Sequence, residues 1–295
     1  MEMEVSFFSD GERVVGTLAL PEDGQGKAPA AVLVHGYGSF RDELTGYVEL
    51  AALLAAHGIA SLRLDMRGCG ESGALGRVHP HDDWIADIAA ALSYLESRPE
   101  VDPARLGLVG MSVGGGAVVQ AGAVDERVRC VVALAPVADG GWWLKHLWTT
   151  TRGESDWQGF LARLAADRRM RAQICRSEKV PVEDVLAYGP EDGKARVQML
   201  QKYPQFATYV YLSSPDSLCR FQPRHWAHLV APRPLRIIHS LTDTSVPITH
   251  AYELYGRAGA PKDIQVIPDS PHCFWLGPHS RRVQELTLEW LRLYL

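Results

Sequence analysis

Residues 105–118 read RLGLVGMSVGGGAV, and this stretch decides the fold. Its first part, RLGLV, is an apolar run of the kind that forms a strand buried on both faces of a parallel sheet. Its centre, Gly110-Met111-Ser112-Val113-Gly114, fits G-x-S-x-G, and the small residues that follow suit a helix packed closely on that sheet. A sharp strand-to-helix turn holds the serine in a strained backbone conformation, and side chains in place of the flanking glycines would collide. A glycine-rich helix start is the plainer reading of these residues alone; the strand before them favours the turn.

Outward from this turn the same alternation repeats. AAVLVHG (30–36), ASLRLDMRG (60–68) and VRCVVALAPV (128–137) read as strands. YVELAALLAAH (47–57), with Gly58 as its C-cap, and DDWIADIAAALSYLES (82–97), with acids in its first turn, read as helices. Near the start, EVSFF (4–8) and RVVGTLAL (13–20) flank Asp10-Gly11, a hairpin signal, and PEDGQGKAP (21–29) is a loop. Late in the chain RPLRIIHS (233–240) and KDIQVIPD (262–269) are strands, ITHAYELYGRAG (248–259) is a helix and RRVQELTLEWLRLYL (281–295) closes the chain as another. Strands alternating with helices imply an α/β fold: a mostly parallel central sheet with helices on both faces. The rhythm breaks over 141–226, where WQGFLARLAADRRMRAQICRSE (157–178) and GKARVQMLQKY (193–203) are helix-like and no buried strand stands out. The reading is therefore one core domain, 1–140 and 227–295, carrying a mainly helical cap insertion at 141–226.

A chain of 295 residues with 46% apolar and 22% charged residues is an ordinary globular protein. The formal net charge of −5 points to neither a nucleic-acid partner nor a polybasic membrane anchor. The five cysteines (Cys69, Cys130, Cys175, Cys219, Cys273) are odd in number and scattered, so free thiols in a reducing compartment are expected. The opening residues MEMEVSFFSDGERVVG do not resemble a signal peptide, and no apolar stretch is long enough for a membrane span. A cytoplasmic location is the resulting default. There is no HExxH and no paired Cys/His spacing, so neither a metal nor another cofactor is expected.

A serine hydroxyl needs a base to become a nucleophile. With Ser112 as nucleophile, the base is expected late in the chain and the acid between them. His272, in Pro268-Asp269-Ser270-Pro271-His272-Cys273, follows the last strand; His279 is its rival. Asp243, in His239-Ser240-Leu241-Thr242-Asp243, follows the strand before; Asp139, after 128–137, is its rival. A carboxylate accepting the imidazole N–H fixes the tautomer and stabilises the imidazolium. A tetrahedral intermediate also needs two N–H donors. The Val113 amide is one expected donor and the Tyr37 amide, in His35-Gly36-Tyr37-Gly38, the other, although HGYG also reads as a tight turn.

With these residues in place the sequence resembles the α/β-hydrolase superfamily over essentially its whole length outside the insertion. The resemblance also rests on Asp65-Met66-Arg67-Gly68-Cys69-Gly70-Glu71-Ser72, a D-x-R-G-x-G-x-S pattern shared by many members, with a structural role expected for Asp65. Within the superfamily the chain is similar to bacterial esterases of the cinnamoyl-esterase and dienelactone-hydrolase-like type. That resemblance implies a Ser-His-Asp triad and no cofactor; the partner expected for such a triad is a small-molecule ester or thioester substrate. Serine at 112 sets the chain apart from haloalkane dehalogenases and epoxide hydrolases, which use aspartate there, and from dienelactone hydrolases proper, which use cysteine. The leading expectation is a carboxylic ester hydrolase. Thioester hydrolysis, acyl transfer or cyclisation and C–C bond hydrolysis use the same machinery, and a non-catalytic binding relative is the remaining alternative. A homodimer is compatible with the sequence.

The insertion opens with Gly140-Gly141-Trp142-Trp143-Leu144-Lys145-His146-Leu147-Trp148, followed by Trp157. Trp142 and Trp143 are candidate substrate-binding residues, with packing of the cap on the core as the alternative. Arg168-Arg169-Met170-Arg171, with Arg176 and Lys179, reads as a solvated helix face.

Overall fold

The computed structural model describes residues 1–22, 26–187 and 199–295. The Asp10-Gly11 turn joins β1 (Glu2–Ser9) and β2 (Glu12–Ala19), which pair antiparallel from Glu2 opposite Ala19 to Ser9 opposite Glu12. The alternating elements follow in order: β3 (Ala28–Val34), α1 (Gly46–Ala56), β4 (Ala60–Asp65), α2 (Trp84–Glu96), β5 (Val101–Met111), α3 (Val113–Val124) and β6 (Val128–Leu134). The segment read as an insertion supplies α4 (Gly140–Thr151), α5 (Glu154–Ile174), β7 (Lys179–Pro181), α6 (Val182–Leu186), β8 (Tyr209–Tyr211) and α7 (Ser213–Arg220). The core then resumes with β9 (Leu235–Ser240), α8 (Thr249–Arg257), β10 (Lys262–Ile267) and α9 (Ser280–Tyr294).

Eight strands form one sheet in the order β1-β2-β4-β3-β5-β6-β9-β10. From β4 to β10 all neighbours run parallel; β1 and β2 are antiparallel additions at one edge. Successive residues of a strand face opposite ways, and both faces are covered. Val32, Leu108 and Val131 pack with Ile88 and Leu92 of α2 and Val118 of α3. Their sequence neighbours Leu33, Val109 and Val132 pack with Tyr47, Leu50 and Leu54 of α1 and Leu291 of α9. Each such aliphatic side chain removed from water stabilises the fold by about 1.5–3 kcal/mol. This double covering is why the inner strands read as continuous apolar runs.

The D-x-R-G-x-G-x-S segment braces the loop after β4. Asp65 accepts the Arg41 amide (2.6 Å), Arg41 Nη1–H (2.7 Å) and the Glu71 amide (3.0 Å). Ser72 Oγ donates to the Asp65 carbonyl (2.6 Å) and accepts the Val15 amide (2.9 Å), tying the loop to β2. Arg67 holds Asp87 of α2 through its Nε (2.5 Å) and amide (2.9 Å).

The insertion departs from the sequence reading in two respects. It contains a short two-stranded sheet, β7 against β8, with Val180 opposite Val210. The basic run on α5 is partly tied down, since Arg168 (3.1 Å) and Arg171 (2.5 Å) both reach the buried Asp216 of α7. Of the helix expected at 193–203, residues 193–198 lie outside the described residues and 199–202 are helical. Trp148, Trp157 and Phe160 cluster within the insertion, with Trp148 stacked on Phe160 at 4.4 Å and Trp157 tilted against both, and Trp148 Nε1–H donates to the Val185 carbonyl (2.7 Å). Among the described residues no helix is long and apolar enough to cross a membrane.

Candidate active site

Ser112 sits between β5 and α3 with φ 58° and ψ −118°, a conformation L-residues seldom adopt. Its amide donates to the Leu134 carbonyl (2.8 Å), and its carbonyl accepts the amides of Gly116 (3.1 Å) and Val137 (3.0 Å). The glycines on either side are required by close approach. A Cβ on Gly110 would lie 2.2 Å from the Gly114 carbonyl oxygen, and one on Gly114 would lie 2.3 Å from that of His35.

The loops after β5, β9 and β10 open at the carboxyl edge of the sheet, where parallel α/β sheets bind their ligands. They bring Ser112, Asp243 and His272 together. His272 Nε2 lies 3.0 Å from Ser112 Oγ, and His272 Nδ1 lies 2.6 Å from Asp243 Oδ2. Asp243 Oδ1 accepts the amides of Ser245 and Val246, both at 2.9 Å. With Asp243 ionised, Nδ1 carries the proton and Nε2 is free to accept from the serine hydroxyl. Burial alone would push the His272 imidazole down; the charge and hydrogen bond of Asp243, with a contribution from Glu43, outweigh it and the net direction is up. Burial works against the Asp243 carboxylate too, but His272 and the Val246 amide hold it below the usual range.

The two rivals stand elsewhere. Asp139 caps α4, accepting the Trp142 amide (3.0 Å), and pairs with Arg224 (2.8 Å). His279 is the residue before α9, and its carbonyl accepts the Val283 amide (3.0 Å).

A cavity of about 250 Å³ opens over Ser112 and His272. Tyr37 and Glu43 line one side, Trp143, His146 and Leu147 of α4 another, and Leu44, Leu186, Met199 and Phe206 give it apolar walls. Trp143 is buried, and its Nε1–H donates to the Ser245 carbonyl (2.8 Å), so the ring also ties the insertion to the loop that carries Asp243. Trp142 corrects the expectation made for it. It is 44% exposed, stacks on His146 and meets His250 edge-on at 4.2 Å, and it lines a separate shallow cleft with Asp139, Arg224 and Glu253. Residues adjacent on a helix point about 100° apart, so only one of the two tryptophans faces Ser112.

Val113, fully buried, opens α3, and Tyr37 reaches the cavity from the HGYG loop after β3. That loop abuts the serine: a Cβ on Gly36 would lie 3.4 Å from Ser112 Cβ. The Gly36 amide donates to Glu43 Oε2 (2.7 Å), and its carbonyl accepts the Ser39 amide (3.2 Å) and His35 Nδ1–H (2.7 Å). Glu43 was not singled out from sequence, where an acid just before a helix reads as a dipole-favouring residue. It is buried, and burial pushes its carboxyl up to about 7 against the lowering effects of the Gly36 amide, the Ser39 hydroxyl and His272. Glu43 (φ 42°), Leu44 (φ 58°) and Thr45 (φ 76°) form a left-handed run. Each costs about 1–2 kcal/mol for a non-glycine residue. Surrounding contacts hold it, including Leu44 packed with Phe40 and Phe206. Among the described residues no group of three or more His, Cys, Asp or Glu side chains is placed to hold a metal.

The model of the family described as serine aminopeptidase, S33, matches residues 27–278. The chain belongs to this family of α/β hydrolases. The match spans the sheet from just before β3, the HGYG loop, the insertion and the loop bearing His272. Among relatives of this hydrolase, a 31.7 kDa protein from the traX-finO intergenic region of Escherichia coli is 27% identical over 299 residues, covering 99% of this chain and all of the relative. The thiohydrolase aneE of Aspergillus aculeatus is 24% identical over 287 residues, covering 91% of this chain and 86% of its own. In fold, the α/β hydrolase GrgF from Penicillium sp. sh18 superposes with a TM-score of 0.82 at 20% identity, covering 100% and 99% of the two chains. The family and these relatives make the protein an enzyme of the hydrolase class with an α/β-hydrolase fold.

Proposed function

We propose that the protein is a serine hydrolase that cleaves a carboxylic ester through an acyl-enzyme on Ser112. The observation that carries this reading is the continuous chain Ser112 Oγ–His272 Nε2–Asp243 at 3.0 and 2.6 Å, on the wall of a largely apolar cavity. His272 takes the Ser112 proton as Oγ attacks the ester carbonyl, and Asp243 stabilises the imidazolium. The Tyr37 and Val113 amides are the donors for the oxyanion. Collapse of the intermediate expels the alcohol, which takes its proton from His272. Water activated by the same histidine then attacks the acyl-Ser112 carbonyl and releases the acid. Leu44, Leu147, Leu186, Met199 and Phe206 suit an apolar acyl group, with Trp143 as one wall.

Thioester cleavage is a second reading, favoured by likeness to the thiohydrolase aneE over most of both chains. The departing thiolate takes the proton that His272 received from Ser112, as the alcohol does, so the same residues serve both substrates. The test is a series of p-nitrophenyl esters and matched acyl thioesters of increasing chain length, with wild type against Ser112→Ala. Turnover that vanishes in the variant is the expected result, and the better series names the leaving group. Turnover surviving in Ser112→Ala would sink the acyl-enzyme.

A further inference from the structure

We infer that Glu43 is a positioning residue for the oxyanion-binding loop: its carboxyl group holds the Gly36 amide and thereby fixes the direction of the next amide, that of Tyr37. The inference rests on the serine-hydrolase reading above. Gly36 is gripped at both backbone groups, its N–H by Glu43 Oε2 at 2.7 Å and its carbonyl by the Ser39 amide and His35 Nδ1–H. The peptide linking Gly36 to Tyr37 is planar and trans, so the Tyr37 N–H points opposite to the Gly36 carbonyl. Fixing residue 36 therefore aims the donor at residue 37. The carboxyl is also close to the reacting serine. The point where a Gly36 side chain would begin lies 3.4 Å from Ser112 Cβ and 3.7 Å from Glu43 Oε1.

The left-handed run from Glu43 to Thr45 delivers the carboxyl to the Gly36 amide. Besides His272, the titratable groups around Glu43 among the described residues are Tyr47 of α1, Cys69 after β4 and Cys273 beside His272, each pushed further up by burial. The close contact of the Glu43 carboxyl is thus with the Gly36 amide, at 2.7 Å.

Two conservative variants separate reach from charge. Glu43→Asp keeps the acid but is one methylene too short to hold the Gly36 amide; Glu43→Gln keeps the reach and a carbonyl acceptor but removes the charge. Kinetics on the best ester, labelling by a serine-directed phosphonate and affinity for a boronic acid that mimics the tetrahedral adduct are measured for both. Positioning predicts that Glu43→Asp loses about 10- to 100-fold in kcat with little change in KM, less than deletion of an oxyanion donor outright. Boronate affinity should fall in parallel, and Glu43→Gln should retain far more of both. In Glu43→Gln the acid limb of the pH profile should also move down, because the charge that helps hold the imidazole up is gone. The reverse order, with Gln damaged and Asp spared, would assign Glu43 to charge rather than position. Equal kcat and boronate affinity in all three proteins would also overturn the inference, with the serine-hydrolase reading intact. If Glu43→Asp does not fold, a large kcat loss in folded Glu43→Gln overturns it alone. A wild-type enzyme inert to the phosphonate would instead remove the reading on which it rests.

Discussion

The Asp243 carboxylate meets three N–H groups, His272 Nδ1–H and the amides of Ser245 and Val246. Asp243→Asn keeps this shape but presents an amide to the imidazole, which favours the wrong tautomer. kcat is expected to fall by about 10⁴-fold. In the wild type the imidazole is held above its ordinary value, and only its neutral form accepts the serine proton. Activity should therefore be lost as pH falls through a point above about 6.5. In Asp243→Asn that limb should move down, read from kcat/KM against pH. At this scale the candidate chain was legible because three residues stand in a fixed order after strands of the parallel sheet, β5, β9 and β10. Glu43 was not, because its burial comes from a left-handed turn that no periodicity announces.

At the scale of elements, runs such as AAVLV and RLGLV read cleanly because both faces of the sheet are covered. The insertion read poorly. β7 and β8 have three residues each, too few for an alternation to show. On α5 the buried positions Trp157, Phe160, Leu164 and Asp167 form one narrow stripe that ends in a charged residue. The tryptophans of the insertion divide by task, and mutation should separate them. Trp148→Ala empties the aromatic centre and strands the Val185 carbonyl. It should destabilise the protein by about 3–5 kcal/mol in chemical denaturation without a distinctive change in substrate preference. Trp143→Phe removes the hydrogen bond to Ser245 and reshapes the cavity wall. It should cost only about 1 kcal/mol but alter the acyl-length profile. An unchanged profile would remove Trp143 from the pocket.

Across the whole molecule, buried histidines contribute to the response to acid. His35 Nε2 accepts the Met66 amide (3.0 Å), and His250 Nδ1 accepts the Ala138 amide (3.1 Å). Protonation would place a second donor at each contact. Burial pulls His35 from 6.5 down to about 4 and His250 to about 3. Since both titrate normally when unfolded, stability present above pH 6.5 is lost on acidification, by about 3 kcal/mol for His35 alone. Glu43 runs the other way, being raised from 4.5 to about 7, so it favours the fold as pH falls to 4.5 and offsets one histidine over that interval. The Tm should therefore decline gently from pH 6.5 to 4.5 and steeply below. A Tm that does not drop between pH 4.5 and 3.5 would mean that the two rings are not held neutral.

All five cysteines lie among the described residues, and each is a free thiol. Four are sheltered: burial pushes Cys130 and Cys219 up to about 12, and Cys69 and Cys273 also move up. Cys175 alone is exposed, at the residue that ends α5. A thiol-selective dye at neutral pH therefore has one preferred point of attachment, and it lies on the insertion rather than on the sheet. The native sequence thus carries an optical handle on the insertion, and the polarisation of that dye's emission, read with and without substrate, would report whether the insertion moves during turnover, with no engineered residue.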